Sequence, residues 1–315
     1  MSQMNQSYKP RILCISRRSD VPGNKDVLIT ILESLVNGTI TYPNPMTSVP
    51  VTVDTTKFDL ISWWSKDYRY LIELWDTYSQ TLTRYKHHFN FCINGEAESI
   101  LEPGVKTSLM ERLEQLSILS RLVQSIGQTP DASITVKIDP ISSYKLVGDD
   151  TIHHTIDHVP LLFQQMSKIG LIHAHISFVQ LDLGTRLPAR LRKMKSRIVF
   201  IEQRSSEDQL NILDRFVFPY CRQYGIRLET CMSMIMPLVN RLKLTDTKPL
   251  LVQGACLGAE TLSKIFNARI DEKNQTGKSD DRHCTCYPHR DVGSKKNPCI
   301  HGCRYCFVNP LIYDF

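Results

Sequence analysis

The chain has 315 residues, of which 42% are hydrophobic and 22% charged, and its 38 basic and 32 acidic side chains leave a net charge of +6. That composition belongs to a folded globular protein, one large α/β domain or two ordinary ones by length. No stretch approaches the roughly 18 uninterrupted apolar residues of a membrane span, and the polar segment Met1 to Pro10 lacks an apolar signal core. With no secretory signal, the ten cysteines read as metal ligands and buried thiols rather than disulfides, in a reducing cytoplasm.

The predicted elements alternate between strand and helix. Arg11 to Ser16 reads as a short buried strand, and Arg17, Arg18 and Asp20 follow at its C-terminal end. In parallel α/β folds that end is where ligands bind, and arginine there can clamp a carboxylate or phosphate. Asp26 to Leu35 has helical period, and Thr41 to Pro45 is a turn-rich loop. Phe58 to Trp64 is a second strand ending in Ser65-Lys66-Asp67, and Tyr68 to Tyr78 is helical. His88 to Gly95 is a third strand that closes on Asn94-Gly95, and Thr107 to Gln124 is an amphipathic helix stopped by Gly127. Ser133 to Pro140 is a fourth strand, ending at Asp139. His158 to Ile169 is helical, Ala174 to Leu181 a fifth strand, Asp208 to Tyr224 helical and Arg227 to Ser233 a sixth strand. A further strand falls around Leu250 to Gln253.

This alternation, with a polar residue at each strand end, predicts a complete or partial (β/α) barrel over residues 1–270. Residues 271–315 form a cysteine-rich C-terminal segment folded over the barrel mouth, beginning with a polar linker from Asp271 to Asp281. The run Arg186 to Arg197 holds six basic residues and no acidic one. It reads as a solvated face or as a track for a phosphate backbone.

The densest chemical signal is Cys299-Ile300-His301-Gly302-Cys303-Arg304-Tyr305-Cys306, three cysteines at spacing C-x3-C-x2-C. Three thiolates this close can hold one face of a [4Fe-4S] cluster and leave a fourth iron without a ligand from the loop. Zinc pairs usually read C-x2-C with a second pair further off, so a zinc knuckle fits this spacing less well. Cys231, Cys256, Cys284 and Cys286 could together hold a second cluster or a zinc; the rival reading makes Cys231 and Cys256 buried small apolar residues. Cys14, Cys92 and Cys221 lie in apolar segments and read as core. His283, His289 and His301 read as ordinary polar residues, with metal ligation as the alternative.

The triplet, with Tyr305 in the aromatic position, resembles the radical S-adenosylmethionine (SAM) signature C-x3-C-x-aromatic-C. The resemblance implies a barrel of that type, whose open iron takes the amino and carboxylate groups of SAM before reductive cleavage to a 5′-deoxyadenosyl radical. More of the chain is similar to the DUF1848 family. The similarity runs from Ser16-Arg17-Arg18-Ser19-Asp20-Val21-Pro22 through Trp64-Ser65-Lys66, Asp139-Pro140-Ile141, Gly254-Ala255-Cys256 and Asp291-Val292-Gly293 to the final cysteines. That family shows Arg-Tyr before Asp-Pro-Ile, where this chain has Lys137-Ile138; the charge is kept but bidentate recognition is lost.

These resemblances imply a radical SAM enzyme of unknown, anionic or nucleic-acid substrate, served by an electron donor protein. Cys299, Cys303 and Cys306 would bind the cluster, and Tyr305 and Phe307 would pack near the adenine. Asn94, in a faint echo of a glycine-rich SAM stretch, would contact the cofactor. Arg17, Arg18, Lys66 and Asp139 would meet SAM or substrate at the strand ends. The alternative is a nucleic-acid-binding protein with a structural zinc or iron–sulfur site, and a third reading is an electron-transfer protein.

Overall fold

The structure, a computed structural model, describes residues 7–15, 20–43, 49–95, 100–181, 197–246, 248–272, 284–292 and 299–306. In chain order its strands are β1 (Ile12–Ile15), β2 (Thr39–Pro43), β3 (Pro50–Asp54), β4 (Leu60–Ser65) and β5 (Lys86–Cys92). Then come β6 (Ile134–Ile141), β7 (Ser143–Leu146), β8 (His153–His154), β9 (His173–Phe178) and β10 (Ile198–Ile201). The last are β11 (Arg227–Thr230), β12 (Leu251–Gln253) and β13 (Arg290–Val292).

The chain divides into two compact units, the first made of residues 1–91, 114–135 and 255–298, the second of 92–113, 136–254 and 299–315. Eight parallel strands are shared between them. The first unit carries the parallel row β5-β4-β1-β13 and a separate antiparallel ribbon, β2-β3. The second carries the parallel row β6-β9-β11-β12 and a small antiparallel sheet, β10-β7-β8. Among the described residues each parallel row is open and forms no closed barrel within its unit. The supported fold is mixed α/β with parallel strands.

The expected strands and most helices are present with small changes of boundary. The helices at Lys25–Val36, Leu109–Ser125 and Val159–Lys168 lie where the apolar period puts them. The helix expected over Asp208 to Tyr224 is two, Ser206–Phe216 and Phe218–Tyr224. Pro219 cannot donate to a continuous helical ladder, and the second helix restarts with proline in its first turn. The helix expected over Tyr68 to Tyr78 is only Arg69–Leu74. Thr41 to Pro43, expected as loop, belongs to β2. Its pairing with β3 ends at Pro43 opposite Pro50, a strand end where missing amide donors are tolerated. The unexpected strand β13 pairs in parallel with β1.

The two faces of each row differ in chemistry. In the first unit Leu13, Ile61 and Phe89 are buried on one face, while Cys14, Ser62 and His88, also buried, stand side by side on the other. In the second unit Val136, Ile138, Ala174, Ile176 and Leu228 form the apolar face, and Lys137, His175 and Glu229 lie in register on the polar one. A parallel strand covered on both sides usually reads as a continuous apolar run. Here alternate positions are polar and still largely shielded from water, so each row has a face built for chemistry rather than for packing alone.

Within the apolar face of the first unit, His87 is fully buried. Its Nε2–H donates to the Leu82 carbonyl at 2.8 Å, and its Nδ1 accepts the Trp63 indole N–H at 3.0 Å. Burial, opposed by the bond to Leu82, lowers its pKa to about 4. In the second unit burial likewise lowers His158 to about 4, with Nε2–H donating to the Ile93 carbonyl. Both imidazoles are neutral in the folded chain, and the unfolded chain takes up protons first as pH falls. Stability is therefore full above about pH 6.5 and lost toward pH 4, by roughly 3 kcal/mol for each group. The urea midpoint should drop over that window, and His87→Gln should make the drop shallower. An unchanged slope in the variant would contradict this role for His87.

Candidate functional site

The cysteine loop sits within the second unit and is fixed there by its backbone. Gly104 N–H donates to the His301 carbonyl at 2.9 Å, Arg304 N–H to the Leu101 carbonyl at 2.9 Å and Arg304 Nε to the Ile100 carbonyl at 2.7 Å. Gly302 has φ +58°, a left-handed conformation that glycine adopts without strain. Cys306 N–H donates to the Cys303 carbonyl at 3.1 Å, which curls the end of the loop. Cys303 and Tyr305 are buried in an apolar cluster with Leu101, Tyr144, Val179 and Ile198, and Cys306 packs at its edge. Thus Cys303 lies within an apolar cluster, Cys306 packs against it, and Cys299, half-buried, opens the loop.

Tyr305 links this loop to the strand ends. Its hydroxyl donates to Glu102 Oε1 and accepts from Asn94 Nδ2 at 3.1 Å. The Asn94 amide also reaches Glu102 Oε1 at 2.9 Å and the Asp139 carbonyl at 3.1 Å, while its Oδ1 accepts from Asp139 N–H at 3.2 Å. Asn94 lies just past β5, and its carbonyl is held by the buried Arg112 guanidinium at 2.7 Å. The Asp139 carboxylate, near the end of β6, accepts from Ser177 Oγ and lies 3.6 Å from Lys137 Nζ. Three predicted site residues, Asn94, Asp139 and Tyr305, are therefore in one hydrogen-bonded network.

Glu102 was not visible as a site residue in the sequence, since it stands between Leu101 and Pro103 with no pattern around it. A second set missed by pattern is the pair of histidines on β9 that hold Glu229 on β11. His173 Nδ1 lies 3.2 Å and His175 Nε2 2.9 Å from its two carboxylate oxygens. Burial works to raise the Glu229 carboxyl, but hydrogen bonds from both histidines hold it below the usual carboxylate range. The alternation His173-x-His175 opposite Arg227-x-Glu229 is the only signal that could have revealed it.

The other predicted residues fall as follows. In the first unit Lys66 follows β4, and its backbone N–H donates to Asp20 Oδ2 at 3.0 Å; Ser65 Oγ holds the other Asp20 oxygen at 2.6 Å. Cys256, Cys284 and Cys286, also in the first unit, are brought together. The Cys286 thiol hydrogen-bonds with both partners, which together with burial pushes its pKa far up. Cys231 follows β11 in the second unit. Cys221 is core as expected, its thiol pushed up to about 12 by burial. Cys92 is half-buried and donates to the Asp139 carbonyl at 3.0 Å. Arg17, Arg18, Phe307 and the basic run up to Ser196 lie outside the described residues.

The donor chemistry fits the group the spacing suggests. Cysteines 303 and 306 lie in or beside an apolar pocket, and the loop that bears them is fixed by backbone bonds, as a cluster shielded from water requires. The tight spot in that docking is Gly104, where an added Cβ would stand 2.1 Å from the Ile300 oxygen and 2.6 Å from His301 Cα. Gly104→Ala should therefore loosen the cysteine loop at a cost of about 1–3 kcal/mol. Limited proteolysis should then cut near the loop faster than in the unaltered chain, and equal cutting rates would refute the contact.

No helix among the described residues is long and apolar enough to cross a membrane. No curated protein and no solved structure matches the chain. A family model described as "Domain of unknown function (DUF1848)" matches residues 12–308, nearly the whole length, and the chain belongs to that family.

Proposed function

We propose that the protein is a radical SAM enzyme whose cofactor is held by Cys299, Cys303 and Cys306 in the second unit. The observation that supports this reading most is the docking of a C-x3-C-x2-C loop in an apolar pocket, with its aromatic residue bonded to groups at the parallel strand ends. A [4Fe-4S] cluster bound by three cysteines supplies an iron position for SAM and the single electron that cleaves its sulfonium.

The chain's own residues divide the remaining work. Tyr144, Val179 and Ile198 keep water from the loop. Asn94 and Tyr305 orient the bound cofactor through the network that also fixes Glu102 and Asp139. Lys137 and Ser177 hold the Asp139 carboxylate in place near the end of β6. Cys256, Cys284 and Cys286 offer three thiols for a second cluster or a zinc that would serve electron delivery or stability.

Anaerobically reconstituted protein, reduced and given SAM, should form 5′-deoxyadenosine. Cys303→Ala should abolish that product. Asn94→Ala should lower it by about tenfold or more, as expected for losing buried bonds worth about 1.5–3 kcal/mol. Product formation that is indifferent to Cys303, or no product from an iron-loaded chain, would rule the reading out.

A further inference from the structure

Cys14 reads in the sequence as core, and His289 as an ordinary polar residue or a ligand without an assigned partner. The fold of the first unit brings both beside Asp291: one donor atom from each, the Cys14 sulfur, an imidazole nitrogen and a carboxylate oxygen, lies within 4.8 Å of the other two. The cause is the parallel pairing of β13 with β1, which sets Cys14 directly opposite Asp291. His289 precedes β13 by one residue and turns onto the same site.

The imidazole is oriented for coordination. His289 Nδ1 lies 3.1 Å from the Tyr287 carbonyl, which can only accept, so Nδ1 carries the proton. Tyr287 is itself fixed, buried and with its N–H bonded to the Leu257 carbonyl. The other nitrogen, Nε2, faces Asp291 Oδ1 at 3.1 Å. Two lone pairs cannot face each other at that distance without a proton or a cation between them. A backbone carbonyl that takes one ring N–H and frees the other nitrogen is the usual support of a metal-bound histidine. The buried thiol beside the pair turns the balance toward a metal, because an ion pair has no use for a third donor and a metal does.

We propose that Cys14, His289 and Asp291 bind one zinc ion, distinct from any cluster held by the other cysteines. The donor set decides the ion. Thiolate and imidazole exclude magnesium and calcium, which take oxygen ligands, and the mixed sulfur, nitrogen and oxygen set suits zinc. Three protein ligands leave a fourth position for water or for a substrate heteroatom, the arrangement of catalytic rather than structural zinc. Ser62 lies directly beside Cys14 in the register of β4, and its hydroxyl is 3.5 Å from His88 Nδ1 on β5. The ion would thus act as a Lewis acid on the polar face of the first unit.

The test is metal content of the full-length protein purified anaerobically from cells supplied with iron and zinc. The unaltered chain should carry about one more zinc per chain than either Cys14→Ala or Asp291→Asn, with iron and acid-labile sulfide equal in all three. His289→Gln repeats the comparison should the β1 variant fail to fold. Equal zinc in the unaltered chain and the variants would overturn the site and leave a plain His289–Asp291 ion pair. Zinc and iron lost together would also overturn it, by making these residues supports of a cluster. Neither result touches the SAM reading, which rests on Cys299, Cys303 and Cys306.

Discussion

The candidate site depends on one buried carboxamide. The Asn94 amide nitrogen lies within hydrogen-bonding distance of Glu102 Oε1, the Tyr305 hydroxyl and the Asp139 carbonyl, which share its two hydrogens, and its oxygen accepts from Asp139 N–H. A buried amide leaves no water to take the place of a missing partner, so each partner's position constrains the others. The cysteine loop is thereby tied by side chains to Asn94 and, through it, to Asp139 near the end of β6, in addition to its backbone bonds to residues 100–104. A loop held in two independent ways can present sulfur ligands in a fixed geometry, which a cofactor site needs.

The second organising feature is the asymmetry of the parallel rows. Strands with one apolar and one polar face are ordinary when the polar face meets water. Here Ser62, His88 and His175 are polar and almost entirely buried. Burying such groups is costly unless they bond one another, and they do: Ser62 with His88 and Asn90, and His175 with Glu229. At the amino ends of the first unit's strands the same face turns apolar, where Ile12 and Leu60 pack with Leu257, Leu262 and Tyr287. On β1 and β4 the polar Cys14 and Ser62 follow the apolar Ile12 and Leu60 by two residues and so lie nearer the carboxyl ends, where parallel α/β folds place their chemistry.

Much of this was legible from residue order, for identifiable reasons. β1 and β4 are apolar runs bounded by charge, and β6 alternates Ile134, Val136 and Ile138 with polar residues, so the local pattern suffices to place them. The cysteine triplet and Asn94 stood out because spacing and position at a strand end carry the signal. β13 did not, since Arg290-Asp291-Val292 is too short and too charged to read as a strand until β1 is there to pair with it. Cys14 was hidden by the same run that revealed β1: in an apolar tetrapeptide the alternate position looks like core, and only the neighbouring strands show that it faces polar groups. Glu102 became meaningful through a tyrosine some 200 residues later, a contact no local pattern encodes.

The most direct test of the central claim is electron paramagnetic resonance on the anaerobically reconstituted, reduced protein, recorded with and without SAM. A cubane signal whose g values shift when SAM is added is the predicted result, because SAM would then sit on the iron that Cys299, Cys303 and Cys306 leave open. A cluster signal unmoved by SAM would contradict the account and assign the loop to a structural or electron-transfer role.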